Sequence, residues 1–179
     1  MSHRRPSLER ERARWRAGRT IVAGIDEAGR GPLAGPVVAA AVVFPPHCKP
    51  VRGLDDSKLL TAAARDRLAA QVWVRALAVG VGAASVHEID RFNIRRAAIL
   101  PMRRALDRLG LTPTDVLVDG LPCPELGVPH LAIIDGDARC HSIAAASVIA
   151  KTIRDRLMAR LDARYPDYAW GSNKGYAIA

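Results

Sequence analysis

Two carboxylates stand side by side at Asp26-Glu27, where the apolar run Ile21-Val22-Ala23 ends. A glycine-rich stretch follows at once: Ala28-Gly29-Arg30-Gly31-Pro32-Leu33-Ala34-Gly35-Pro36. Adjacent residues on a strand face opposite sides, so both acids serve one site only where the strand ends or bulges. Glycine permits φ > 0 and lets backbone come close to a ligand. Gly29-Arg30-Gly31 therefore reads as a tight loop that offers backbone N–H groups and one guanidinium to an anion. Paired carboxylates beside such a loop point to metal-assisted phosphate chemistry. Asp-Glu followed by glycine and proline also builds ordinary surface turns, and this stretch alone does not choose between the two.

Further acids close further strands. Thr114 to Val118 reads as a short buried strand ending on Asp119-Gly120, and His130 to Ile134 as another ending near Asp135-Gly136-Asp137. The spacing leaves Asp135 and Asp137 both open as the fourth acid, on the third strand end. Strand ends on one edge of a sheet served by crossover helices converge on a site. Four carboxylates meeting there repel one another unless a cation holds them. Hard divalent cations take oxygen ligands, and Mg²⁺ is usually bound through a few carboxylates plus waters and phosphates. Two such ions ~4 Å apart activate water and stabilise the leaving oxygen of a phosphodiester. Lys58 precedes a helix capped by Thr61, where a phosphate also finds the helix N-terminus, although a plain surface lysine would look the same. Lys151 and Asp155 lie one helical turn apart, the spacing of an ion pair.

The elements that must place these groups follow from periodicity. Thr20 onward and Pro36 to Phe44 are neighbouring strands joined by the glycine loop, with Pro45-Pro46 ending the second. A helix runs from Thr61 to Ala70, and Val72 to Ala83 reads as strand. Asn93 caps a helix whose apolar face is Ile94, Ala98, Met102, Ala105 and Leu109; Pro101 inside it predicts a kink, and Gly110 closes it. A long helix from Ser142 buries Ile143, Ala146, Ala150, Ile153 and Leu157, with Lys151, Arg154 and Asp155 on its flank. Residues 1–19, with arginines at 4, 5, 10, 12, 14, 16 and 19, read as a basic, solvated arm, mobile or loosely helical. Residues 20–179 then form one α/β domain.

Composition narrows the class. A chain of 179 residues, nearly half apolar and a quarter charged, is long enough for one core. Few aromatics are present, so that core is aliphatic. A net charge of +9 favours polyanions, nucleic acid above all. Cys48, Cys123 and Cys140 form no Cys-x-x-Cys pair, which argues against a zinc knuckle or a disulfide framework. No apolar run reaches the ~18 residues of a membrane span, and the first residues lack the apolar core of a secretory signal. The cytoplasm is the expected compartment, with no membrane partner.

The block Asp26 to Val37 resembles the signature of type 2 ribonuclease H, the ribonuclease HII family. So do Asp56-Ser57-Lys58, Ile89-Asp90 with Asn93-Ile94, Val118-Asp119-Gly120, Gly136-Asp137, Ile143 to Ser147 with Ala150-Lys151, Arg154-Asp155 and Lys174-Gly175-Tyr176, in the family's order from residue 20 to 176. The resemblance implies a ribonuclease H-like fold, a mixed sheet of about five strands flanked by helices. It implies Mg²⁺- or Mn²⁺-dependent endonuclease cleavage 5′ to a ribonucleotide, in RNA–DNA hybrids or at single ribonucleotides in duplex DNA. The products would be a 3′-hydroxyl and a 5′-phosphate, in ribonucleotide removal during replication and repair. By the same resemblance Asp26, Glu27, Asp119 and Asp137 are the catalytic, metal-binding acids, with Asp137 chosen over Asp135. Gly29, Arg30 and Gly31 would contact the ribonucleotide around its 2′-hydroxyl, the group that distinguishes RNA from DNA. Tyr176 would stack beneath the next deoxynucleotide's sugar, while Lys58 and Lys151 are phosphate-binding or supporting candidates. The expected form is a monomer. Family members usually continue past Tyr176 through another helix and a basic tail; here the chain ends at Ala179, so the expectation is a chain without that tail. Two other readings compete: a general metal-dependent nuclease of the same fold, and a non-catalytic basic nucleic-acid-binding module. The glycine-arginine-glycine and lysine-glycine-tyrosine elements, which serve ribose recognition, weigh against the first. The clustered acids, which repel phosphates unless a metal intervenes, weigh against the second.

Overall fold

The arginine-rich N-terminal segment is not a solvated tail. In the computed structural model, which describes residues 5–177, Glu9–Arg16 forms a helix, α1. Arg4 of the expected arm and the chain end at Ala179 lie outside the described residues. Leu8, Glu11 and Trp15 are buried. Their three- and four-residue spacing puts them on one helical face, and Leu8 and Trp15 pack with Val22, Leu117 and Ile143. The arginines occupy the remaining faces, and Arg14 and Arg19 pair with Asp115.

Among the described residues, five strands and five further α-helices follow. Val22–Ala28 (β1) and Val37–Val43 (β2) form the hairpin expected around the glycine loop. Ala62–Arg75 is α2, Ala78–Ala84 β3, Val86–Ala97 α3 and Ile99–Asp107 α4. Asp115–Asp119 is β4, Leu131–Ile133 β5, His141–Arg164 α5 and Trp170–Asn173 the short α6. The sheet order is β3-β2-β1-β4-β5, with β1–β2 and β2–β3 antiparallel and β1–β4 and β4–β5 parallel. This is the mixed five-stranded sheet flanked by helices that the sequence predicts.

Alternation along β1 divides the molecule into two faces. Ala23 and Ile25 pack with Met102 and Ala105 of α4 on one side. Gly24 faces α5 on the other, so closely that a β-carbon there would fall 2.4 Å from Ser142. Alanines in β2 permit the same approach: Ala39 and Ala41 lie under α4, and Ala40 under α5. From His141 to Ala150 every residue of α5 is buried, because this half of the helix lies between the sheet and α2, whose Leu68, Ala69 and Val72 cover it.

Three local expectations are corrected. Thr61 caps α2 as predicted, its hydroxyl accepting from Ala64 N at 3.2 Å, but the helix continues to Arg75 and β3 begins only at Ala78. Val72 belongs to the buried helical face with Leu68, four residues earlier, so that period overrides the local strand pattern. The helix expected from Asn93 to Leu109 is two. Ser85 starts α3 with a capping box to Glu88, Asn93 interrupts it at φ 64° and ψ 161°, and α4 restarts at Ile99. Pro101 therefore stands in the first turn of α4 and causes no kink, since N–H groups there have no intrahelical acceptor.

Candidate active site

The acids gather where the parallel strands end. On β1, Asp26 and Glu27 still pair with Ala40 and Ala39 of β2. On the other side, pairing with β4 stops at Ile25–Val118. Beyond that point β1 has lost one neighbour, which opens the edge for both carboxylates without a bulge. Asp119 is the last residue of β4, and Asp137 lies in the helical turn Gly136–Ala138 just after β5. The Asp119 carboxylate accepts from Gly136 N at 2.6 Å, tying the two strand ends together. Asp135 occupies a left-handed conformation, φ 53°, at the start of that turn. Asp137 is the one buried.

All four acids resist ionisation. Burial raises the Asp26 pKa well above the ordinary carboxylate range, and the charges of Glu27, Asp119 and Asp137 add to it, against a hydrogen bond from Ser147. Glu27 is raised by burial, with Arg30 opposing. Asp119 is raised by burial against three backbone N–H groups. Burial and then Asp119 lift Asp137 to about 6. Such a set calls for positive charge. Lys58 Nζ lies 3.8 Å from Asp137, and an Arg30 nitrogen lies 3.7 Å from Glu27. As the side chains stand, no three His, Cys, Asp or Glu residues among those described converge on one ion position. Oxygen donors spread over one edge suit a hard cation that keeps waters and substrate phosphates in its coordination shell. The residues therefore fit a hard divalent cation.

The glycine loop is built around Arg154. Gly29, at φ 104°, leaves no room for a side chain, since a β-carbon would lie 2.3 Å from Arg154 Nε. The buried Arg154 guanidinium donates to the carbonyls of Pro36, Ala34 and Lys174 at 2.9–3.0 Å. Leu33 N and Ala34 N donate to Gly175 O at 2.9 and 3.3 Å. One buried side chain thus ties the loop after Glu27 to the turn before Tyr176. Helical spacing of the apolar residues alone puts Arg154 on the flank of α5; in the fold it is buried. The signal was present: Ala150, Arg154 and Met158 continue the four-residue spacing of the buried stripe.

The remaining candidates divide. A β-carbon on Gly31 would meet nothing within 4 Å, so its face is open to a ligand. Tyr176 is half-exposed, and Lys151 Nζ lies 5.7 Å from its ring centre while binding Asp155 at 2.7 Å. Lys151 supports Tyr176 and stands in the expected ion pair, which Arg65 joins from α2 at 3.2 Å. Ser147, hydrogen-bonded to Ser57 at 2.9 Å beneath Asp26, had not been singled out.

A profile described as Ribonuclease HII matches residues 23–179. The chain belongs to the ribonuclease HII family. It is 53% identical over 159 residues to the Ribonuclease HII of Azoarcus sp. (strain BH72), covering 89% of this chain and 78% of that one. The ribonuclease HII of Archaeoglobus fulgidus, solved in a complex with PCNA, superposes with a TM-score of 0.72 at 30% identity, covering 89% of this chain and 83% of that one. Bst-RNase HIII in complex with Mn²⁺ shares the fold, with a TM-score of 0.70 at 22% identity over 83% of this chain and 56% of that one. Family membership makes the chain a ribonuclease H hydrolase, and ribonucleases H depend on divalent metal. Among the described residues no helix is long and apolar enough to cross a membrane.

Proposed function

We propose that this chain is an endonuclease that cuts the phosphodiester 5′ to a ribonucleotide, in RNA–DNA hybrids and at single ribonucleotides in duplex DNA. The observation that carries this reading is the Arg154 tie. It joins the glycine loop beside the acids to the turn carrying Tyr176, so ribose-sensing and phosphate-cutting groups form one unit.

Asp26, Glu27, Asp119 and Asp137 would hold Mg²⁺ or Mn²⁺. When bound there, the metal supplies an activated water and a counter-charge for the leaving 3′-oxygen. The chain's own residues do the rest. Backbone N–H groups of Gly29 to Gly31 reach the 2′-hydroxyl across the open face of Gly31. Tyr176, braced by Lys151, offers a flat surface to the next sugar, which fits best where no 2′-hydroxyl follows. Lys58, beside Asp137, steadies the scissile phosphate. The reading places the enzyme in the cytoplasm, acting as a monomer in ribonucleotide removal.

A labelled duplex with one ribonucleotide, incubated with Mg²⁺ or Mn²⁺, tests this. The expected result is a nick 5′ to the ribonucleotide, leaving a 3′-hydroxyl, absent with an all-DNA duplex and reduced at least ~10³-fold by Asp119→Asn. Cutting of the all-DNA duplex at the same rate would favour the general nuclease, and no cutting of either duplex or a long hybrid by folded protein would leave only the binding module.

A further inference from the structure

The acids do not share one face of the sheet. Ile25 packs toward α4 and Gly24 toward α5, so by alternation Asp26 points to the α5 side and Glu27 to the α4 side. On the α4 side a cleft of about 570 Å³ opens directly from the acids. Its lining includes Glu27, Arg30, Arg95, Ile99, Met102 and Asp119, with Glu125 as a further carboxylate. A larger cavity, about 660 Å³, lies at the far end of β4 around Leu106 and Thr114 and contains none of the four acids.

Arg95 distinguishes this cleft. Arg104 on α4 is engaged, holding Glu88 at 2.6 Å and the Ala83 carbonyl at 2.6 Å. The exposed Arg95 guanidinium has no ion-pair or hydrogen-bond partner among the described residues. Its position follows from a strained residue. Asn93 adopts φ 64° and ψ 161°, a region that non-glycine residues rarely enter. Its side chain accepts from Arg96 N at 3.1 Å, which starts a new helical turn containing Arg95. The turn that follows brings an unpaired cation to the cleft beside Glu27 and Asp119, where an anionic ligand would neutralise it. Ile99 and Met102 give the cleft an apolar part of its lining.

We propose that Arg95, together with Arg30, grips a phosphodiester of the cleaved strand next to the scissile one, with the intervening nucleotide lying against the apolar lining. This rests on the nuclease reading above. Phosphate contacts of this kind position the strand and carry no sequence information.

The test measures kcat and KM on the single-ribonucleotide duplex at several salt concentrations for wild type, Arg95→Ala, Arg95→Lys and Arg103→Ala. Arg103→Ala removes the same charge from an exposed position of α4 outside the cleft. Arg95→Ala should raise KM about 3- to 10-fold with kcat within twofold, and lower the salt slope of log(kcat/KM) by about 0.9, the value of one phosphate contact. Arg95→Lys should recover most of the KM, and Arg103→Ala should change it less than twofold. Neutral methylphosphonates, placed one at a time beside the scissile bond, should include one that weakens wild type equally and Arg95→Ala no further, the non-additivity of a direct pair. An unchanged KM and slope for Arg95→Ala, an equal effect of Arg103→Ala, or additivity at every phosphate would overturn the proposal. Failure of wild type to nick the duplex would instead overturn the nuclease reading.

Discussion

Asp137 shows at the scale of one residue why this site requires a cation. Burial and Asp119 lift its pKa to about 6 from an ordinary 3.8, so the folded, metal-free chain holds a proton there more tightly than the unfolded chain. Stability linked to this group is therefore fully present below about pH 3.8, is lost as pH rises from there through about 6, and changes no further above that. Without metal, Asp137→Asn should be more stable than wild type at pH 7.5, by about 1–2 kcal/mol after solvent screening, and the difference should shrink toward pH 4. Urea denaturation in chelator at the two pH values measures this; a variant less stable than wild type at pH 7.5 would refute it. Adding Mg²⁺ should reverse the order, because ligand binding stabilises the wild type by mass action. The same repulsion was legible in the sequence as four acids at strand ends. Spacing alone did not choose between Asp135 and Asp137, which only the family resemblance separated, because the left-handed turn at Asp135 comes from backbone geometry that residue types leave open.

Between elements, Arg154 replaces what a rigid loop would otherwise need. It spans from α5 to the loop after β1 and to the turn after α6, satisfying three partly buried carbonyls at once. Arg154→Met keeps the volume but leaves these carbonyls unpaired, a loss of about 3–5 kcal/mol for a buried, fully engaged guanidinium. In the surviving folded fraction the substrate loops should loosen, raising KM for a single-ribonucleotide duplex more than for a long hybrid. Thermal melting together with limited proteolysis at residues 29–36 checks both halves. Unchanged melting would show that Arg154 is not the tie described. Sequence periodicity found the helices and strands that build this frame, with their ends displaced by a few residues. It missed the docking of α1, where seven arginines obscured the Leu8, Glu11 and Trp15 face. It also missed the long-range cap by which Glu11 accepts from Ser142 N at 2.7 Å at the start of α5. Long-range partners are invisible to a local period; this cap joins residues 131 positions apart.

Over the whole molecule, the +9 charge and the acidic centre pull in opposite directions. The excess of arginine draws a polyanion to the surface, while the four carboxylates repel the phosphate that must be cut unless metal has neutralised them. Arg30, Lys58 and Arg95 stand around the acids, so the long-range attraction is concentrated at the edge where local repulsion is strongest. Affinity and catalysis should therefore separate under different conditions. Raising salt from 50 to 200 mM should weaken binding of an RNA–DNA hybrid about 10²- to 10³-fold if about four to six phosphates are neutralised, while kcat at saturating substrate stays nearly constant. Chelating the metal should do the opposite, abolishing turnover at any salt while weakening binding much less. Fluorescence anisotropy with a labelled hybrid, beside single-turnover cleavage at saturation, reads the two effects independently. A salt dependence below tenfold would mean that the basic surface is not the binding surface. A kcat that fell in step with affinity would mean that the same contacts both hold the strand and align the scissile bond, and the division between a basic surround and an acidic centre would then fail.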